Sequence, residues 1–178
     1  MRIIRSSEFS EGRWRNGMGV SWDIASDPPR TEDFGWHFAI ARIDSDVPFS
    51  SYPQVDRIFT LIEGRGLDLD FAGGASLAVD RLFVPHPYPC DVPTFCRLRD
   101  GPCRALNLFM RRGLWRADAD VVSSAAVIVH PGPMLLFALN AAADVHGKAL
   151  APGDAAIAAD RVTADTEGFL FAARLFPL

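Results

Sequence analysis

The residues that decide the fold are Pro48–Gly66, with the sequence PFSSYPQVDRIFTLIEGRG. A turn-rich approach containing two prolines leads into the apolar run Ile58–Ile62, and glycines follow shortly after it. Two isoleucines and a threonine in so short a run predict a buried strand rather than a helix. Apolar and acidic residues then alternate over Leu67–Phe71, which predicts a second strand. The two strands are expected to form a hairpin around Glu63–Gly66.

Arg57 is the first residue of a row of buried side chains on one face of the first predicted strand. Side chains at alternate positions share a face, so Arg57 is expected to lie with Phe59 and Leu61. An unpaired guanidinium in such a row is costly and should reach solvent, form a salt bridge or bind an anion. Residue chemistry alone slightly favours a salt bridge, to Asp56, Glu63 or a distant carboxylate.

A second informative strand is predicted at Leu106–Arg112. Asn107 lies there on one face with Phe109 and Arg111. A buried asparagine must satisfy its amide, and a backbone partner is the commoner outcome. In a cavity beside Arg57, Asn107 would instead be a recognition group.

The segment Trp14–Gly19, WRNGMG, is predicted to be a turn because it contains Asn-Gly and a further glycine. Trp14 and Asn16 suit two roles about equally well. One role is structural, in which both residues stabilise the hairpin. In the other, Trp14 forms an aromatic wall beside the Asn16 amide, an arrangement that holds small polar ligands. Trp36, on a strand predicted at Phe34–Ile43, is another candidate wall.

The composition is that of an ordinary globular protein, with 49% hydrophobic and 22% charged residues over 178 positions. The formal net charge of -4 and the scattered arginines argue against nucleic-acid binding, which needs clustered positive charge. No window reaches the apolar length of a membrane span, and no secretory apolar core follows the first residues. We therefore expect no membrane association and a cytoplasmic location.

Three cysteines, Cys90, Cys96 and Cys103, lie near one another without a CxxC pair. With His86 they would make a conceivable zinc cluster, but the odd count and wide gaps favour buried thiols. We expect neither a metal nor another cofactor.

Several segments, in the same order, resemble the HutD/Ves family of cupin-like proteins. They are Trp14–Gly19, Pro48–Ser50, Val55–Arg57, Leu61–Gly64 and Leu106–Arg112. The resemblance covers most of residues 10–115. The stretch Pro48–Gly66 also resembles the first motif of the wider cupin superfamily, whose spacing places the metal positions at Ser50, Tyr52 and Arg57, none of which is a good metal ligand. This resemblance therefore implies a cupin without its metal.

The expected fold is an all-β, cupin-like double-stranded β-helix. Regularly recurring short strands and glycine or proline turns predict the all-β class without the family. The resemblance adds two cupin-like halves (a bicupin), an N-terminal barrel at residues 1–115 and a smaller half at residues 116–178. The polar segment Trp115–Ser124 is expected to cross between them.

The first functional hypothesis is that the N-terminal barrel binds a small anionic metabolite. Arg57 would hold a carboxylate by paired hydrogen bonds. Hydroxyls, amide contacts and an apolar wall would come from Ser50, Tyr52, Asn16, Asn107, Trp14 and Trp36. The HutD resemblance implies a link with histidine utilisation, a ligand such as formylglutamate or a related acyl-glutamate, and a regulatory role.

Two alternatives remain at this point. A metal-independent isomerase or hydrolase of a carboxylated substrate would need a general base near Arg57, and the sequence offers no catalytic set. An interaction protein would use its barrels to build a homodimer and bind no ligand. A barrel centre filled by Phe59, Leu61 and Phe109 would favour this last reading.

Overall fold

A computed structural model describes residues 1–29 and 33–178, and over these the chain is all-β with one short 3₁₀ turn, Ser6–Glu8. The chain forms two compact units, residues 10–114 in one and residues 1–9 with 115–178 in the other. The first nine residues join the second unit because β1 (Arg2–Ile4) pairs with β16 (Ala155–Thr166). This differs from the expected range 1–115 at its amino-terminal end. Within the described ranges, no helix is long and apolar enough to cross a membrane.

The unit of residues 10–114 contains two antiparallel sheets. Its strands are β2 Ser10–Arg13, β3 Val20–Asp27, β4 Trp36–Ile43, β5 Val47–Pro48, β6 Val55–Glu63, β7 Leu67–Phe71, β8 Ser76–Val79, β9 Pro85–Pro89, β10 Thr94–Leu98 and β11 Cys103–Arg111. One sheet has the order β2-β3-β4-β11-β6-β9, and the other has the order β5-β10-β7-β8. The strand β6 therefore lies between β11 and β9, with both neighbours antiparallel.

The core of this unit forms where the inner faces of its two sheets meet. Phe59 and Leu61 of β6 share one buried cluster with Leu67 and Leu69 of β7 and with Cys96 of β10. The expectation that Phe59 and Leu61 share a face with Arg57 is confirmed by this cluster and by the contact of Arg57 with the Phe59 ring.

The hairpin predicted around Glu63–Gly66 is wrong. The strand β6 pairs with β11 and β9, whereas β7 pairs with β10 and β8. The turn carries the chain from one sheet to the other. Gly64 and Gly66 both have positive φ, 107° and 109°, which a residue with a side chain rarely adopts.

The second unit is built on another antiparallel sheet. Besides β1 and β16, its strands are β12 Trp115–Val122, β13 Ala126–Ala138, β14 Ala143–Val145, β15 Lys148–Leu150 and β17 Leu170–Pro177. The order is β12-β17-β13-β16-β14-β15, with β1 attached to β16. The segment Trp115–Ser124, expected to be a crossing, is largely strand β12, whose alternating exposure fits a sheet with one solvated face.

Asp154 anchors the amino-terminal segment in the second unit. Its buried carboxylate accepts hydrogen bonds from Arg5 Nη1 at 2.7 Å, from the Ser6 backbone N–H at 2.8 Å and from the Ala151 backbone N–H at 3.1 Å. Burial opposes ionisation, but these donors outweigh it and lower the pKa of Asp154. The carboxylate therefore stabilises the fold in its charged form.

We predict that Asp154→Asn lowers the free energy of unfolding by about 2–3 kcal/mol at pH 7, because the amide loses charge-assisted hydrogen bonds and presents a donor to backbone donors. The folded-state pKa lies below the unfolded value of about 4, so this stabilisation is complete above that pH and is lost as the pH falls through the folded pKa. Chemical denaturation at pH 7 and at pH 3 measures both effects.

The control is Asp118→Asn, since Asp118 is exposed and pairs only loosely with Arg116, at 3.6 Å. It should change stability by less than about 0.5 kcal/mol. A loss for Asp154→Asn that is equally large at pH 3 and pH 7 would contradict the assignment of charge.

Candidate functional site

Arg57 lies on the inner face of its sheet, in a row that runs across neighbouring strands. Its direct cross-strand partners are Tyr88 on β9 and Phe109 on β11, and His37 on β4 follows next to Phe109. Directly opposed residues point to the same side of a sheet. The Arg57 side chain is therefore directed inward, and the residue is only 5% exposed.

Asn107 fixes the orientation of the Arg57 guanidinium. Its Oδ1 accepts from Arg57 Nε at 2.8 Å and from Nη2 at 2.6 Å. Asn107 Nδ2 donates to the Ala105 carbonyl at 3.2 Å, which turns the amide oxygen toward the arginine. The asparagine is 1% exposed, so both partners are held without competing solvent. The structure thus brings together two of the residues singled out in the sequence.

Aromatic rings surround the guanidinium. Its central carbon lies 4.7 Å from the ring centre of Phe49, 5.0 Å from Phe59, 5.1 Å from Phe109 and 5.6 Å from Tyr88. Cation–π attraction of about 0.5–2 kcal/mol per good contact offsets part of the cost of burying the charge. Rings carry no net charge, so they do not neutralise it.

The salt bridge that residue chemistry favoured for Arg57 is wrong. Among residues 1–29 and 33–178, no carboxylate oxygen lies within 4.0 Å of its guanidinium nitrogens. Asp56 pairs instead with Arg112 at 2.7 Å, and Glu63 pairs with Arg104 at 3.4 Å. Asp56 is the residue before Arg57 on the strand and so points to the opposite face. The positive charge of Arg57 is left without a counter-charge in the described structure.

The edge of Arg57 that Asn107 does not occupy has donors suited to a carboxylate, and the Cys90 thiol is close enough to interact with the guanidinium. Asn107 occupies the edge formed by Nε and Nη2. The other edge, formed by Nη1 and the second N–H of Nη2, presents parallel donors of the kind that grip a carboxylate in two hydrogen bonds. A small anion arriving at this edge would supply the missing charge.

Two further polar groups in this region were missed by sequence reasoning, the Tyr88 hydroxyl and the Cys90 thiol. The Tyr88 hydroxyl is fully enclosed and, in the part of the chain that is described, has no hydrogen-bond partner. Leaving such a hydroxyl unsatisfied costs about 1–3 kcal/mol. Burial raises the pKa of Tyr88 and of the Cys90 thiol, while the positive charge of Arg57 acts in the opposite direction on both. The signal in the sequence was the alternation of His86, Tyr88 and Cys90 with prolines, a pattern typical of an edge strand.

Asn16 and Ser50 hold two loops together. The Asn16 side chain donates to the Pro48 carbonyl at 2.8 Å and accepts from the Met18 N–H at 3.1 Å. The Asn16 backbone N–H donates to the Ser50 hydroxyl at 3.2 Å. The polar atoms of the Asn16 amide are thus engaged within the protein, and their direct role toward a ligand remains a prediction.

Trp14 and Tyr52 flank the aromatic rings around Arg57. Trp14 donates through Nε1 to the Val20 carbonyl at 3.0 Å and meets Phe49 edge-on at 5.7 Å. A Cβ at Gly19 would overlap the Trp14 ring, so glycine there allows this position. Tyr52 contacts Phe109 at 5.4 Å between ring centres. Both aromatic candidates therefore touch a ring that itself packs on Arg57.

Trp36 is not brought to Arg57. It alternates with His37 on β4 and pairs with Met110, so its side chain lies on the opposite face of the sheet. The neighbouring His37 is on the inner face, stacked on Phe109 at 5.7 Å, with Nε2 3.0 Å from Asp23 Oδ1.

The residues at the cupin metal positions, Ser50, Tyr52 and Arg57, do not fit a divalent cation. They supply two hydroxyls and a permanent positive charge where a metal needs imidazole or carboxylate ligands.

Comparison with known proteins identifies clear relatives. The HutD family model matches residues 6–171. Protein Ves of Cronobacter sakazakii (strain ATCC BAA-894) is 31% identical over 140 residues, which are 78% of this chain and 76% of the relative. An uncharacterized 21.2 kDa protein in the hutC 3' region of Pseudomonas putida is 28% identical over 118 residues, 66% of this chain and 62% of the relative. The structure of HutD from Pseudomonas fluorescens SBW25, in a formate condition, aligns with a TM-score of 0.89 and 25% identity over 99% of this chain and 98% of that one. The resemblance to HutD/Ves proteins and the all-β, cupin-like fold are confirmed.

We predict that replacing both members of the buried pair, as in Arg57→Met with Asn107→Leu, keeps the free energy of unfolding unchanged or raises it by about 1–2 kcal/mol in carboxylate-free buffer. The reason is that a buried charge without a counter-charge lowers stability, whereas an apolar pair of similar volume does not. Urea denaturation measures the change, with exposed Arg42→Met as a control expected within about 0.5 kcal/mol. A loss of 3 kcal/mol or more, the usual order for breaking a buried ion pair, would mean that Arg57 has a structural counter-ion.

We also predict that the three thiols resist alkylation in the native protein. Burial raises the pKa of Cys90 and Cys103 and raises that of Cys96 to about 12, so the reactive thiolate is scarce at pH 8. Mass spectrometry after a short iodoacetamide pulse should find no modified cysteine before denaturation and three afterwards. Rapid native labelling of Cys90 would contradict the burial of its thiol.

Proposed function

The chain belongs to the HutD family, and on that basis and on the geometry at Arg57 we propose that it binds the carboxylate of a small anionic metabolite without a metal. The observation that carries the proposal is the buried guanidinium with no acidic partner within the described ranges. A retained buried charge lowers stability, so a functional counter-ion explains why an arginine is there.

The arrangement around Arg57 is preorganised for binding. Asn107 holds one edge of the guanidinium, and the rings of Phe49, Phe59 and Phe109 restrict its movement. A donor fork that is already fixed loses little side-chain entropy when a ligand arrives. The paired N–H groups of the free edge would then bind both oxygens of one carboxylate.

A dicarboxylate of the acyl-glutamate class is our preferred ligand. Aromatic contacts continue from Arg57 to Phe109 and Tyr52, and the exposed Arg15 lies 5.3 Å above the Tyr52 ring. Arg15 offers a second positive charge on the solvent side. The names of two relatives, HutD and a protein of the hutC 3' region, support a link with histidine utilisation. We propose that the role there is accessory or regulatory, with a formylglutamate-like ligand and a cytoplasmic location.

The packing of the interior favours one competing function. Phe59 and Leu61 lie in the main buried cluster, and Phe109 lies in a second one beside Cys90. An interior packed in this way suits an interaction protein that forms a homodimer and binds nothing, which is the second candidate.

Catalysis of isomerisation or hydrolysis has less support. Burial raises the pKa of Tyr88 and of Cys90, so both are neutral at pH 7 and neither is an ionised base. The His37 ring is separated from Arg57 by Phe109 in the row across the sheet. Turnover of a bound acyl-glutamate remains the test of this alternative.

We predict that N-formylglutamate stabilises the protein by an amount that rises with the logarithm of its concentration above Kd. At a hundredfold excess over Kd, binding adds about 2.7 kcal/mol, which corresponds to roughly 5–10 °C in the unfolding midpoint. Thermal-shift titration at constant ionic strength, with calorimetry for Kd, measures this. Arg57→Met should abolish the shift, and Arg42→Met should retain it.

Two results would contradict carboxylate binding at Arg57. Equal shifts for the wild type and the Arg57→Met protein would place binding elsewhere. No shift with any carboxylate from a folded protein that sediments as a dimer would favour the interaction function.

A further inference from the structure

Tyr88 carries a polar group that the proposed binding by Arg57 does not explain. It lies directly opposite Arg57 on the edge strand β9, on the same inner face. Its ring contacts Phe59 and Phe71, so the side chain extends inward from the sheet. Its hydroxyl is enclosed and, as far as the structure describes the chain, unpartnered. Enclosed hydroxyls nearly always have a partner, which makes this one a candidate for binding a ligand.

We propose that Tyr88 is a specificity-determining residue of the anion site, where its hydroxyl donates to a planar monocarboxylate group that Arg57 holds through Nη1 and Nη2. This rests on the proposed function, because it assigns a second donor and a head-group class to the same site. The two side chains leave directly opposed positions on one face, and the Tyr88 ring centre is 5.6 Å from the Arg57 guanidinium carbon. In the proposed complex, a carboxylate held by Arg57 also accepts from the Tyr88 hydroxyl at about 3 Å.

The charge of the site selects a monoanionic head group. Within residues 1–29 and 33–178, Arg57 is the buried cationic side chain of this site, and it supplies a single positive charge. A carboxylate leaves the enclosed site neutral. A sulfate or phosphate dianion leaves an uncompensated negative charge, which is expensive away from water. The flat donor edge of Arg57 also suits a planar group better than a tetrahedral one.

The state of the phenol agrees with a donor role. Burial raises the pKa of Tyr88, so the hydroxyl keeps its proton at any pH at which the protein is used. A neutral O–H that donates to a carboxylate makes a charge-assisted hydrogen bond. The hydroxyl contributes to affinity when a ligand supplies an acceptor. In the ligand-free protein the unsatisfied hydroxyl lowers the stability of the fold.

The test compares Tyr88→Phe with Thr60→Val. Tyr88→Phe removes only the hydroxyl. Thr60 has the other enclosed, unpartnered hydroxyl on this sheet in the described structure, but it lies on β6 with parity opposite to Arg57. Thr60→Val therefore controls for the general effect of removing such a group. The probes are sodium acetate, sodium formate and sodium sulfate at constant ionic strength, with Kd from calorimetry or from chemical-shift titration.

We expect Tyr88→Phe to bind acetate and formate roughly 10- to 100-fold more weakly than the wild type, the range for a lost hydrogen bond to a charged group. Its ligand-free unfolding midpoint should equal or exceed that of the wild type. Thr60→Val should bind both probes with unchanged affinity, and sulfate should bind the wild type at least tenfold more weakly than acetate.

Each contrary result has a distinct meaning. Acetate binding by Tyr88→Phe within twofold of the wild type overturns the role of Tyr88 and leaves the proposed function intact. A lower ligand-free midpoint for Tyr88→Phe overturns it as well, since the hydroxyl would then have a partner in the free protein. Equal affinity for sulfate and acetate overturns the head-group class. A folded wild type that binds no carboxylate overturns both this inference and the proposed function.

Discussion

The buried positive charge of Arg57 is the constraint on which the account of this protein depends. The guanidinium is held by Asn107 and enclosed by aromatic rings, and it has no acidic partner in the described ranges. Proteins bury such charges at a cost, and single residues that lower stability persist where function needs them. The unneutralised donor edge of Arg57 and the Tyr88 hydroxyl, which has no partner in the described ranges, each lower the stability of the protein. They lie at neighbouring positions on one face of the sheet. A single carboxylate would remove both.

The fold supplies the rigidity that this arrangement needs. Arg57 lies on β6, between β11 and β9, so its backbone is hydrogen-bonded on both sides. Arg112, just after β11, links the ends of these three strands. It forms salt bridges with Asp56 on β6 at 2.7 Å and with Asp91, just after β9, at 2.8 Å. Donors on paired strands are positioned more accurately than donors on loops. The chain can therefore keep a recognition edge in place before a ligand binds.

Much of the fold could be predicted from the sequence, because short apolar runs and glycine or proline turns are local signals. Alternation also placed Arg57, Phe59 and Leu61 on one face. The hairpin at Glu63–Gly66 was wrong because strand pairing is decided by distant partners, and glycines with positive φ permit a crossing as readily as a hairpin. Tyr88 was missed because prolines on both sides hide a strand, and Trp36 was included although its parity with His37 puts it on the other face.

The most direct measurement is the NMR signal of the Arg57 Nε–Hε group in ¹⁵N-arginine-labelled protein, assigned by its loss in Arg57→Met. Burial and the bond to Asn107 should protect this proton from exchange and make its signal visible. The account predicts a saturable shift of this signal as N-formylglutamate is added, with the signals of exposed arginines unchanged. An Arg57 signal that stays constant up to millimolar N-formylglutamate, acetate and formate would contradict a carboxylate site at this residue.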